Sequence, residues 1–218
     1  MGRGGSSLGG GSLGGGGGAP ASVTETTDIW SYRHNKNNAP FVDAINSGLR
    51  SMDNDFPGFA SGINTVDAVK MSGADNDSTL GFWSPATKQL AMNVNYTDVN
   101  KMNNVMDSAK QSGLHPSRGN KTGTEAVALH EAGHALTDKL AADNGFASLH
   151  AFSADVVKKA YKQSGMKGGN RGFAGTISKY ATKNYAECVA EAVTDWYCNG
   201  NKAANASKLI MAEIKKYK

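Results

Sequence analysis

The sequence predicts an α+β domain in which a first helix leads into a small antiparallel sheet and a mainly helical C-terminal part follows. Three observations predict it. Apolar residues recur at helical spacing around residue 45, three short strand-like runs bounded by turn residues come next, and helical periodicity dominates from residue 122 onward.

Taken in order, the first segment is a Gly/Ser tract: eleven of the 27 glycines fall in the first 18 residues of a 218-residue chain. With so few side chains to bury, residues 1–21 cannot offset their backbone entropy and are expected to form a disordered arm, leaving residues 22–218 as one domain. Phe41, Ile45, Leu49 and Met52 make a helical stripe over 39–52, stopped by the turn-rich residues 53–57. Runs at 63–71, 80–84 and 89–96, separated by Ser/Gly/Asp/Asn-rich and Ser-Pro-containing turns, read as the strands of the antiparallel sheet.

Residues 99–112 carry Val99, Met102, Val105, Met106 and Ala109 at helical spacing, with Gly113 where a helix would end and a polar loop at 115–121. Helices are then predicted over 122–142, 149–163, 185–199 and 202–217, with Gly-rich loops at 165–175. No internal repeat is present.

Composition excludes several classes. No run approaches the roughly 18 apolar residues of a membrane span, and the start lacks the basic flank and apolar stretch of a signal peptide, so a soluble chain is expected. The 23 basic and 19 acidic side chains give a net charge of +4, scattered without interleaved aromatic residues, which does not point to nucleic acid. Cys188 and Cys198 are ten positions apart in one predicted helix, about 15 Å at 1.5 Å per residue, too far for a disulfide.

The residues that carry chemistry begin at His130-Glu131-Ala132-Gly133-His134, an H-E-x-x-H motif inside an apolar helical pattern. Residues four apart share a helix face, so His130 and His134 can present two imidazole nitrogens to one ion, with Glu131 beside them. With 5 His and 6 Glu in the chain, random placement predicts roughly 0.003 such motifs. Thr122 and Glu125 read as a capping box that starts this helix. Neutral imidazole bound to zinc offsets the cost of burying two histidines among Ala and Leu, so Zn2+ is the expected cofactor.

A catalytic zinc takes three protein ligands and keeps one position open. A longer motif with Gly and His at 137 and 140 is excluded by Thr137 and Leu140, and His150, sixteen positions past His134, reads as a surface residue. Glu187 and Glu191 are four apart on a helix otherwise lined by Val, Ala and Cys, and two acids in an apolar stripe need partners.

At this point the chain resembles a zincin-like metalloprotease of the gluzincin group. Residues 180–193 are similar to the glutamate helix of the anthrax lethal factor catalytic domain and of related toxin and phage-encoded domains, which place a Tyr seven residues before a liganding Glu and a second acid four residues after it. Tyr180, Glu187 and Glu191 hold those places. The resemblance implies that Glu187 is the third metal ligand, that Tyr180 steadies the developing oxyanion, and that Glu191 accepts the free ring N–H of a liganding His, His130. It also implies that 89–96 is an edge strand that pairs with an extended peptide.

The activity implied is zinc-dependent endopeptidase cleavage of a protein or peptide substrate, with Glu131 as general base. The alternatives are an assembly protein of a phage that keeps the fold without turnover, or a toxin module that cleaves a host protein. A phage-encoded chain would reside in host cytoplasm or virion. The basic 202–218 segment, with Leu209, Ile210 and Ile214 as its apolar stripe, is expected to pack on the domain with a solvated lysine face.

Overall fold

The computed structural model describes residues 39–71 and 78–218, together with the backbone of Ala21 and Ser22. The arm predicted over 1–21 lies outside the described residues except for Ala21, which belongs to a short strand, β1 (Ala21–Ser22). The chain then forms α1 (Ala39–Asp55), β2 (Thr65–Val69), β3 (Gly81–Ser84), β4 (Gln89–Asn93) and α2 (Val99–Gln111). Five further helices follow: α3 (Gly123–Asp143), α4 (Leu149–Ser164), α5 (Gly169–Gly175), α6 (Tyr185–Asn199) and α7 (Asn205–Ile214).

The long helix α3 organises the rest. Ala, Leu and Val occupy nearly half of its positions and small or polar residues between them are buried too, so it is enclosed on nearly every side, as expected for a central rather than a surface helix. It packs against α1, α2, α4 and α6 and against the sheet through β3 and β4. Its start is capped by Thr122, whose hydroxyl accepts from the Glu125 N–H at 3.1 Å. The capping box is only half formed, because the Glu125 carboxylate turns instead to Ser47 Oγ at 2.9 Å and Lys121 Nζ at 2.5 Å. Gly133 lets α6 approach closely: a Cβ there would stand 3.1 Å from Ala190 Cα.

The sheet is mixed, with strand order β1-β2-β4-β3, which corrects the antiparallel sheet expected from the sequence. β3 and β4 form an antiparallel hairpin, but β4 lies beside β2 and runs parallel to it, with Val66 opposite Leu90 and Ala68 opposite Met92. Short runs bounded by turn residues identify strands without identifying partners, and the pairing of distant residues puts the hairpin's second strand next to β2. Residues 89–96 are therefore not an edge strand. β4 occupies the interior of the sheet, β3 forms its edge, and Val94–Tyr96 leaves the strand as a 3-10 turn.

The helix boundaries otherwise follow the periodicity closely. The Gly-rich 165–175 segment is not all loop, since it contains α5. α7 buries Ile210, Met211 and Ile214, while the last residues continue as a 3-10 turn, Lys215–Tyr217. Asp195 on α6 ties this region down: it is buried and accepts from Ser207 Oγ at 2.6 Å, Ala204 N at 2.8 Å and Asn199 Nδ2 at 2.9 Å. Both cysteines are free thiols, Cys188 buried and Cys198 partly so. Among the described residues no helix is long and apolar enough to cross a membrane.

Candidate metal centre

The α3–α6 contact brings the sequence-predicted residues together. His130 and His134 come from successive turns of α3, while Glu187 and Glu191 come from the facing side of α6. α6 is capped by Asn184, whose side chain accepts from the Glu187 N–H at 2.9 Å, so the cap also sets where Glu187 stands. Glu187 Oε2 lies 3.1 Å from His130 Nε2 and 3.3 Å from His134 Nε2. One donor atom from each of these three residues falls within 4.8 Å of the other two.

This separation has a chemical meaning. Bonds of about 2.0–2.2 Å at tetrahedral angles place neighbouring ligand atoms about 3.3 Å apart, the spacing found between Glu187 and the two imidazoles. Two imidazoles and a carboxylate are also a donor set that suits zinc. The three residues could therefore hold such an ion while leaving a fourth direction open toward the cleft.

The surrounding groups orient them. Glu191 is 1% exposed, and its Oε1 lies 2.9 Å from His130 Nδ1, which fixes the ring so that Nε2 faces Glu187. The same oxygen lies 2.9 Å from His115 Nδ1, and Oε2 accepts from Ser178 Oγ at 2.6 Å. Burial disfavours the Glu191 carboxylate, but contacts with His115 and His130 prevail and bring its pKa down to about 2. Burial likewise works against Glu187, whose contacts with His130 and His134 hold it well below the usual carboxylate range. The His130 imidazole is pushed toward neutrality by burial, then past its ordinary value in the other direction by Glu187 and Glu191.

Glu131 is buried where β3 closes on α3. Gly81 permits that approach: a Cβ there would stand 3.0 Å from Ala91 O and 3.1 Å from Glu131 Cγ. Burial raises the Glu131 pKa, while His130, His134 and a hydrogen bond from the Trp83 backbone act against it. The hairpin is anchored to α3 by Asp138, which accepts from Trp83 Nε1 at 3.2 Å and Lys88 Nζ at 2.7 Å.

Tyr180 stands in the 3-10 turn just before α6, with its ring centroid 5.8 Å from that of His130. Burial, reinforced by the charges of Glu187, Glu131 and Glu191, raises its pKa, so the phenol remains a donor at neutral pH. Lys183 Nζ lies 3.7 Å from the ring centre. These groups line a cleft of about 590 Å³ whose apolar side includes Leu80, Met106, Leu114 and Val127, and whose polar side includes His150, Lys183 and Asn184. His150 is exposed, as expected for a surface residue, and reaches the cleft rim without joining the ligand cluster.

His115 is the site residue that sequence reasoning missed. It sits in the 115–121 segment read as a polar loop, where no periodicity marks it. Its only local signal is the following Pro116, which restricts the backbone before it. Comparison with protein-family models, curated proteins and solved structures returned no significant match for this chain.

Proposed function

We propose that the chain is a zinc-dependent endopeptidase with a zincin-like fold, its site resembling that of the gluzincin group. The observation that carries this reading is the position of Glu187 Oε2, 3.1 and 3.3 Å from two imidazole nitrogens of an H-E-x-x-H helix, one of which Glu191 orients. His130, His134 and Glu187 would hold the ion. Bound zinc supplies Lewis acidity, lowering the pKa of water and polarising a carbonyl.

The protein's own groups then have defined work. Glu131 accepts a proton from the attacking water as the C–O bond forms, and delivers it to the amine nitrogen as the C–N bond breaks. Its burial raises its pKa, which brings a carboxylate closer to the range useful for both steps. The Tyr180 phenol donates to the oxygen that gains charge. The outer edge of β3, which has no neighbouring strand among the described residues and lines the cleft from Gly81 to Trp83, pairs with an extended peptide and presents its carbonyl to these groups.

The test is zinc per chain after a mild chelator wash, followed by peptide-library hydrolysis. Near-stoichiometric zinc is expected in the wild type, with loss in Glu187→Ala. Glu131→Gln should retain the metal while turnover falls by roughly 10²–10⁴-fold. No zinc in folded wild type at excess metal overturns the metal reading; unchanged turnover in Glu131→Gln overturns its role as base.

A further inference from the structure

His115 is unused by the reaction just described, yet it touches two of its parts. Its Nδ1 lies 2.9 Å from Glu191 Oε1, the oxygen that also holds His130. Its ring centroid lies 4.8 Å from that of Tyr180 and 6.2 Å from that of His130, while Tyr180 and His130 are 5.8 Å apart. The three rings thus form a closed triangle at the mouth of the α3–α6 contact.

The loop that carries His115 is built as a strap. Its backbone is tied to the Tyr180 turn, with Lys179 N donating to Gly113 O at 2.9 Å and Tyr180 N to Leu114 O at 3.0 Å. Lys179 Nζ adds a bond to Ser112 O at 2.6 Å. Beyond His115, Pro116 is buried, Asn199 Nδ2 donates to Ser117 O at 2.7 Å, and Arg118 grips Asp107 through two bonds of 2.8 and 2.9 Å. On the other side, Ser178 Oγ donates to Glu191 Oε2 at 2.6 Å and accepts from Ala181 N at 3.0 Å, so both ends of the Tyr180 turn are referred to one buried carboxylate.

From this arrangement we infer that His115 is a positioning residue: held by Glu191, its ring is the wall that keeps the Tyr180 phenol in its productive place. The inference rests on the hydrolytic reading for its kinetic consequence, but its structural content does not depend on turnover. Serving Glu191 only as a hydrogen-bond donor would be a different role, and the two separate cleanly. His115→Asn keeps a donor near the Nδ1 position and removes the wall, whereas His115→Phe keeps the wall and removes the donor.

The experiment uses the zinc-loaded full chain with His115→Ala, His115→Asn, His115→Phe and Tyr180→Phe, alone and combined. His115→Ala should lower kcat by roughly 10- to 100-fold, the scale of a small misplacement of a reacting group, with KM and zinc affinity within about twofold of wild type. His115→Phe should recover most of that loss and His115→Asn little. In the Tyr180→Phe background the His115→Ala effect should vanish.

An equal loss in both backgrounds, or a loss that tracks zinc occupancy, overturns the inference. Side-chain NMR of labelled tyrosine, with Tyr180 assigned by its disappearance in Tyr180→Phe, judges it without turnover. A single narrow Tyr180 signal should broaden or split in His115→Ala and be restored in His115→Phe; an unaltered line width in His115→Ala overturns the wall. A wild type that holds this signal but cleaves no peptide counts against the hydrolytic reading alone.

Discussion

Two buried carboxylates in different regions of the molecule are treated differently. Glu191, on α6, is 1% exposed and meets three groups that can donate to it: His115, His130 and Ser178. Asp67, on β2, is 3% exposed, and its Oδ1 accepts from the Ala68 N–H at 2.8 Å while Oδ2 has no partner among the described residues. Burial opposes both charges. At Glu191 the histidines outweigh it and the pKa falls, whereas at Asp67 burial wins over the single backbone bond and the pKa rises.

The difference teaches where this fold tolerates charge. Between α3 and α6 a buried charge is surrounded until it becomes an organiser of other groups; in the sheet the same chemistry is left half satisfied and costs stability. The sharpest way to break the comparison is Glu191→Gln. Removing one member of a buried, hydrogen-bonded cluster costs about 3–5 kcal/mol, and an amide cannot accept from three donors with the strength of a carboxylate.

The pH dependence of that loss has a definite sign. With a folded pKa of about 2 against an ordinary 4.5, Glu191 stabilises the metal-free fold between pH 4.5 and the raised pKa of His130, and the contribution of about 3 kcal/mol disappears as the pH falls toward 2. Urea unfolding of chelator-treated wild type and Glu191→Gln should therefore show a wide gap at pH 6 that narrows by pH 3. A gap of constant width would mean that Glu191 is no organiser.

A smaller effect tests how closely the two helices must meet. In Gly133→Ala the new methyl would press on the Ala190 backbone, 3.1 Å away, and no flexible side chain can yield there. Overpacking of this kind costs about 1–3 kcal/mol, offset by the helix preference of Ala over Gly, about 1 kcal/mol. The expected result is a net destabilisation of about 1 kcal/mol with zinc affinity lowered roughly tenfold, because His134 and Glu187 are carried on the helices that separate. Unchanged affinity by competition with a chromophoric chelator would show that the site adjusts independently of the packing.

The same contrast explains what the sequence disclosed. His130, Glu131, His134, Glu187 and Glu191 were legible because helical spacing is a local rule, and a helix that obeys it carries its side chains to a predictable face. Asn184 and Thr122 then act where caps are expected. The sheet obeyed no such rule. Its strands were visible from composition, but the parallel β2–β4 pairing depends on a crossover between distant residues. One trace was present: Leu90, Ala91 and Met92 form an unbroken apolar run, and all three are buried, which suits an interior strand more than an edge. His115 left still less, since it acts through residues 65 and 76 positions away, Tyr180 and Glu191.

The mildest test bears on the sheet. Because the folded pKa of Asp67 is raised, the cost of its charge is present in full above that folded value and vanishes below the unfolded value near 3.8. Asp67→Asn retains an Oδ1 acceptor for the Ala68 N–H and removes the charge, so it should stabilise the chain at pH 7 by about 1 kcal/mol, read as a rise of about 2–4 °C in thermal midpoint. The gain should shrink as the pH falls toward 3.8, because the raised pKa of Asp67 makes the folded wild type take up its proton before the unfolded chain does. Destabilisation by Asp67→Asn at neutral pH would break the comparison from its weaker side, because it would mean that the carboxylate of β2 is held by partners as Glu191 is, and that this fold places no charge without enclosing it.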